Sequence, residues 1–328
     1  MTEAARGGAK GTRDFLETLR KALVQLGWAG FTLLFTSVLI FLLTHVMPGN
    51  AARATLDTMA TAEAVKALEE QLGLNRTLLV QYWNWLSGVL QGDFGTSMRM
   101  NVPIGPVLAD RLAISLPMAG AAFILVFILG TTLGSIAALY QGRPLDRLIS
   151  ISSLAGISAP EFVTGMILII LFAGVLPTSG FAGEGASIHE YFLHMVLPVA
   201  TLTLILLAHV LRTSRVSMIE ALAAPYTRTA VLKGLPKRTI VVKHVLRNAL
   251  LPTITVLGIN VGYLIGGVVI VETVFSVPGI GRLTVFAIQN RDIPLIQACT
   301  LAMAATYIGA SLLTDVTYLI LNPRLRGR

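Results

Sequence analysis

Along this chain, long apolar runs alternate with short polar or basic stretches. A helix that crosses a bilayer needs about 20 apolar residues. Six segments fit that pattern: Gly27–Val46, Ala113–Tyr140, Leu148–Leu176, Met195–Leu211, Leu250–Phe275 and Leu295–Leu321. The second, third and sixth are longer than the hydrocarbon requires, so they are expected to tilt or run on into the interface. One sizeable polar interruption, Met47–Leu112, separates the first two. Within it, Val65, Leu68 and Leu72 share a helical face, with Thr61 as cap, Glu63 in the first turn and Gly73 as stop. A second short helix is predicted over Leu78–Leu90, whose Tyr82, Trp83 and Trp85 suit a membrane–water interface. The predicted fold is therefore all-α: a polytopic transmembrane helical bundle of about six spans with a small helical outer insertion over residues 47–112. That insertion is too short to enclose a large core of its own. Ala52-Arg53-Ala54 reads like a signal-peptidase site. The apolar run before it is too long for a signal core, so the first helix is read as a retained anchor.

Composition agrees with a lipid-embedded chain. Of the 328 residues, 54% are hydrophobic and 13% charged, against about a quarter charged in soluble domains. The formal charge of +8 is informative mainly through its position. The segment 1–26, the loop after the second span, the loop after the fourth and the tail hold 18 of the 25 Lys and Arg residues. The loop Pro177–His194 holds none. The positive-inside rule then places both termini in the cytoplasm and makes the charge a topology signal, with no nucleic-acid partner implied. A single cysteine, Cys299 in an apolar stretch, excludes a disulfide framework or cysteine zinc site within the chain and is read as a packing residue.

The basic loop 215–249 carries the strongest local pattern. Glu220–Ala224 favours helix, and Pro225 suits the first position of a new one, where its missing N–H costs nothing. Tyr226, Thr229, Ala230 and Lys233 then fall on one face, and Gly234 followed by Pro236 ends the turn. Such a bounded helix can fit a groove in a cytoplasmic partner or lie along anionic lipid, and the pattern alone leaves both open.

Polar residues within the spans are the other candidates. Glu161 follows Pro160 near mid-depth of the third span, where the proline should loosen the helix. It either lines a translocation path, meeting a substrate amine or cation, or packs against a neighbouring helix. Asn260, flanked by Gly258, Gly262, Gly266 and Gly267, is the second candidate for a translocation path, although it suits interhelical hydrogen bonding better than ligand binding. His209 suits packing better than proton relay. His45, His189 and His194 lack metal-ligand spacing, so no metal site is assigned. Glu272, Phe275, Pro278 and Gly281 form a Gly/Pro-rich re-entrant stretch, tolerated where it lines a cavity or meets a partner, and are read as an outer gate. Asp315 is expected to pair with an arginine of the C-terminal segment.

Blocks along nearly the whole chain add a resemblance. Glu220-Ala221, Tyr226-Thr227-Arg228-Thr229-Ala230 and Lys233-Gly234 resemble the EAA loop of ABC-transporter permeases. The run His244-Val245-Leu246-Arg247-Asn248-Ala249-Leu250-Leu251-Pro252 resembles the dipeptide/oligopeptide/nickel branch of that family. Gln71-Leu72-Gly73-Leu74, Gly92-Asp93-Phe94-Gly95-Thr96-Ser97, Leu176-Pro177-Thr178-Ser179-Gly180, Val271-Glu272-Thr273-Val274-Phe275 and Asn290-Arg291-Asp292 follow in the family's order. Pro225 and Val231 depart from its usual docking helix. The resemblance implies a type I ABC importer permease fold over residues 27–328. It implies that Glu220, Ala221, Pro225, Tyr226, Arg228, Thr229, Ala230, Lys233 and Gly234 form the ATPase-docking element. The implied partners are a second homologous permease, two ATPase subunits and an external solute-binding protein, within a bacterial inner membrane. The implied cargo is dipeptides or oligopeptides, with nickel or another small solute as the alternative. ATP and magnesium would be bound by the ATPase subunits: this chain has no G-x-x-x-x-G-K-[ST] loop, and also no H-E-x-x-H or G-x-S-x-G. An ion-coupled secondary transporter would call for inverted repeats, and a membrane scaffold would not need the docking loop.

Overall fold

The computed structural model describes residues 3–46, 75–183 and 185–321. The predicted helix Thr61–Leu72 lies outside them. The helices are α1 (Glu3–Val46), α2 (Leu78–Leu90), α3 (Ile104–Leu139), α4 (Pro144–Ser158), α5 (Glu161–Phe172), α6 (Ile188–Ala223), α7 (Pro225–Leu232), α8 (Lys237–Val274), α9 (Ile280–Gln289) and α10 (Ile293–Leu321). Among the described residues the extended pairing is a single bridge, Thr96 with Pro103.

Five helical segments are long and apolar enough to cross a membrane: Leu23–Val46, α3, α6, α8 and Ile293–Thr317. The predicted third span is not one helix. It divides into α4 and α5 at Ala159, whose φ of −98° and ψ of 137° are extended. The cause is local: a residue before proline is pushed out of the α region, and Pro160 cannot donate to the preceding turn.

Other boundaries differ for reasons of packing. The second span begins at Ile104 instead of Ala113, because Ile104 and Leu108 bury against Ile280, Leu283, Leu295 and Cys299. The fourth span extends at both ends. Ser187 and Glu190 form a capping box at its start, and Ala224, extended before Pro225, closes it. The fifth begins at Lys237 instead of Leu250 and includes a π-helical stretch, Ile240–Leu246. The wider turn lets Ile240 and Val245, five positions apart, both reach the cluster formed by Ala138, Met218, Ala221 and Ala230.

The core lies between α3, α6 and α8, where Met118, Val126, Leu202, Val210, Leu257 and Val268 interlock. Glycine sets the α3–α6 distance. A Cβ at Gly130 would stand 2.6 Å from Val210 Cγ1, and one at Gly134 would stand 2.6 Å from the Leu211 carbonyl oxygen. The helices can touch backbone to backbone only because both positions lack a side chain. On the flank, α1 packs on α10 and α2. Gln297 Nε2 donates to Thr44 Oγ1 at 2.8 Å, and Ser37 Oγ lies 2.8 Å from the Tyr82 hydroxyl. Phe31, Leu34, Phe35, Ile170 and Leu171 remain exposed, as lipid-facing side chains should.

Candidate functional site

Three places gather the candidate residues. The first is the basic end of the bundle. Here α6 carries Glu220 and Ala221 beyond the apolar core, and the extended Ala224 turns the chain into α7 with Pro225 at its first position. Thr227 Oγ1 donates back to the Ala221 carbonyl at 2.7 Å, bolting α7 to the end of α6. Gly234, at φ +72°, closes α7, a conformation that a side chain would strain. Ala230 does not share the outward face expected for it. It is 5% exposed and packs on Met218, Ile240 and Val245. What α7 presents outward is Tyr226, Arg228, Thr229, Val231, Leu232 and Lys233, with Leu232 81% exposed. At the same end Arg215 Nε and Nη2 donate to Asp146 Oδ1 (2.6 Å) and Oδ2 (2.8 Å), tying the start of α4 to α6. The guanidinium holds the Asp146 carboxyl down at about 2, so it stays ionised at physiological pH.

The second place is the break between α4 and α5. Glu161 opens α5 and borders two hollows. One, about 180 Å³, is shared with Gly156, Pro160, Leu206, His209 and Tyr263. The other, about 540 Å³, runs along α8 past Ile259, Gly262, Tyr263, Gly266 and Gly267. Glu161 Oε2 is buried without a hydrogen-bond partner. Asn260 lies elsewhere on α8. It is buried, its Nδ2 lacks a partner, and it lines neither hollow. The two residues read as a translocation path are therefore not brought together.

The third place is the re-entrant turn after α8. Glu272 is fully buried. Its Oε1 accepts from Ser115 Oγ at 2.5 Å, and its Oε2 accepts from the Arg282 backbone N–H at 3.0 Å. Ser115 Oγ in turn accepts from the Ile280 N–H at 2.9 Å. Thus a carboxylate from α8 and a hydroxyl from α3 satisfy the free N–H groups that open α9. Gly279 leaves room for this: a Cβ there would stand within 2.4 Å of Ser115 Oγ and overlap the carboxylate. Arg111 Nη1 donates to the Pro278 carbonyl, and Phe275, 1% exposed, abuts Gly165 of α5. Glu272, Phe275, Pro278 and Gly281 thus form a packed joint among α3, α5, α8 and α9.

Sequence reading missed Ser115 and Tyr263, and took Asp292 only as part of a resemblance. Asp292 Oδ2 accepts from Ser97 Oγ (2.5 Å) and from the Arg99 N–H (3.1 Å), fastening the 92–103 hairpin to the start of α10. Its place just before an apolar helical run was the available signal. Ser115 gave none, because a lone serine inside an apolar span reads as filler. Asp315 meets Gln25 Nε2 at 3.4 Å, and the arginines expected to pair with it lie outside the described residues.

Comparison with known proteins decides the family. The model of "Binding-protein-dependent transport system inner membrane component" matches residues 130–327, and that of its N-terminal part matches residues 19–119. The chain belongs to this family. It is a multi-pass inner-membrane permease subunit of a binding-protein-dependent ABC transporter. A probable peptide ABC transporter permease protein, y4tP of Sinorhizobium fredii, is 40% identical over 292 residues, covering 88% of this chain and 93% of its own. The glutathione transport system permease protein GsiC of Escherichia coli K12 is 38% identical over 298 residues, covering 90% and 95%. Among solved structures, an amino acid ABC transporter with histidines matches at 15% identity and a TM-score of 0.48, over 67% of this chain and 94% of that one.

Proposed function

We propose that this permease forms half of a translocation pathway for short peptides, beside a second homologous permease. Two ATPase subunits dock on the cytoplasmic loops of the permease pair, one of them on α7 of this chain, and an external solute-binding protein delivers cargo at the opposite face. Both termini lie in the cytoplasm, as the distribution of Lys and Arg supports. The observation that carries the reading is the build of α7: a short helix bonded rigidly to the end of a membrane-crossing helix, with Tyr226, Val231 and Leu232 left bare to solvent. Bare apolar side chains beside Arg228 and Lys233 suit a protein groove, which would bury them. Rigid attachment to α6 lets a closing ATPase pair move the bundle, the requirement for ATP-driven alternating access. Peptide cargo is supported by the names of the two relatives, one a peptide and one a glutathione permease.

The test is Leu232→Asp. Leu232 touches nothing the core needs, so insertion and assembly with the second permease should persist. Co-purification with the ATPase subunits should fall about tenfold or more, because a charge would be buried in the docking groove. Undiminished co-purification and uptake would overturn the docking role of α7.

A further inference from the structure

The joint between α4 and α5 does more than interrupt a span. It sets a carboxylate at the boundary between two hollows, and among the described residues that carboxylate has no cationic partner. We infer that Glu161, with the Tyr263 ring, forms a cation subsite that receives the ammonium group of the cargo during translocation. This rests on the peptide-importer reading and names the chemical feature by which the membrane path would select its solute.

Four observations converge on it. The oxygen Oε2 is buried and unpartnered, so it retains an unused acceptor. An acceptor in a low-dielectric site is costly unless something arrives to satisfy it. Glu161 is the first residue of α5, so its side chain leaves the chain at the break between α4 and α5. Tyr263 lines both hollows and is 68% exposed, presenting a ring to whatever enters. An ammonium between a carboxylate and an aromatic face is held by an ion pair on one side and a cation–π contact on the other. The α8 wall here is glycine. Gly266 has nothing within 4 Å of where its Cβ would be, and a Cβ at Gly267 would lie 3.5 Å from Glu161 Oε2, so backbone-width space leads to the carboxylate. The remaining titratable side chain lining the hollows is His209, from α6.

The experiment measures uptake of the dipeptide Ala-Ala by the complete importer in proteoliposomes, with loaded binding protein in excess. Glu161→Gln keeps the shape and removes the charge. The expected result is a wild-type rate about tenfold above that of the variant at pH 7, narrowing toward unity by pH 9. The α-amino group, with a pKa of about 8, is then neutral. Glu161→Asp should restore part of the rate at pH 7. A wild-type to E161Q ratio that is near one, or that is large and constant across this range, would overturn the inference, the latter marking a merely structural role. If E161Q fails to assemble, Tyr263→Leu is read in the same way, since its ring is exposed and its removal leaves the core intact. Failure of the wild type to carry Ala-Ala while another cargo is carried would count against the peptide reading. Equal transport by wild type and E161Q would count against the subsite alone.

Discussion

Glu272 and Glu161 are both carboxylates in membrane-crossing helices, and their surroundings separate their roles. Glu272 has donors on both oxygens and no exposed surface, so it is spent on structure. Glu161 has an unsatisfied oxygen and open space beside it, so it is free to act on something that arrives. The sequence places Glu161 at mid-depth and Glu272 at an outer turn, but does not show that one is satisfied by hydrogen bonds and the other is not. The Glu272 joint makes a prediction of its own. Ser115→Ala removes the hydroxyl that bonds both Glu272 Oε1 and the Ile280 N–H. Loss of a buried hydrogen-bond partner costs about 1–3 kcal/mol. Thermal unfolding of the purified permease in detergent should therefore begin a few degrees lower. Ser115→Thr, which keeps the hydroxyl, should recover part of the loss. An unchanged melting curve for S115A would show that the joint contributes no stability.

Among elements, the apolar runs located all five described helices that are long enough to cross a membrane, and turn chemistry located α7. Pro225 at its first position and Gly234 at its end were legible because each residue type has one dominant local use there. The extent of the spans was not legible. Ile104–Leu112 of α3 and Lys237–Asn248 of α8 are helical because tertiary clusters bury one face of them, and no window of hydropathy registers that. Pro160 was read as loosening a helix, and instead it divides one; the difference lies in Ala159, held extended. The contact between α3 and α6 was also hidden, since nothing in the sequence singles out Gly130 and Gly134 from the other glycines of the spans. They give a sharp test. Gly134→Leu should abolish the folded permease, seen as loss of a monodisperse peak on size exclusion, because its Cβ would collide with the Leu211 backbone. Gly120→Ala, on the same helix with nothing within 4 Å of its Cβ, should fold normally. Equal behaviour of the two variants would contradict the close crossing.

At the scale of the whole molecule, the chain has two constructed ends joined by a packed core. The basic end offers α7, braced by Thr227, the cluster under Ala230 and the Asp146–Arg215 pair. The opposite end is braced by Glu272 and Asp292, each satisfying the start of a helix. Bracing at both ends suits a body that moves as a unit, with the α4–α5 break and its hollows between them. The central claim is that α7 meets an ATPase on the cytoplasmic side. Its most direct test places a cysteine at a highly exposed position of α7, Leu232→Cys. The one native thiol, Cys299, is fully buried and stays silent. A membrane-impermeant maleimide should label Leu232→Cys in inverted vesicles and not in intact cells, and bound ATPase subunits should block the labelling. Labelling in intact cells, or labelling indifferent to the ATPase, would contradict the account.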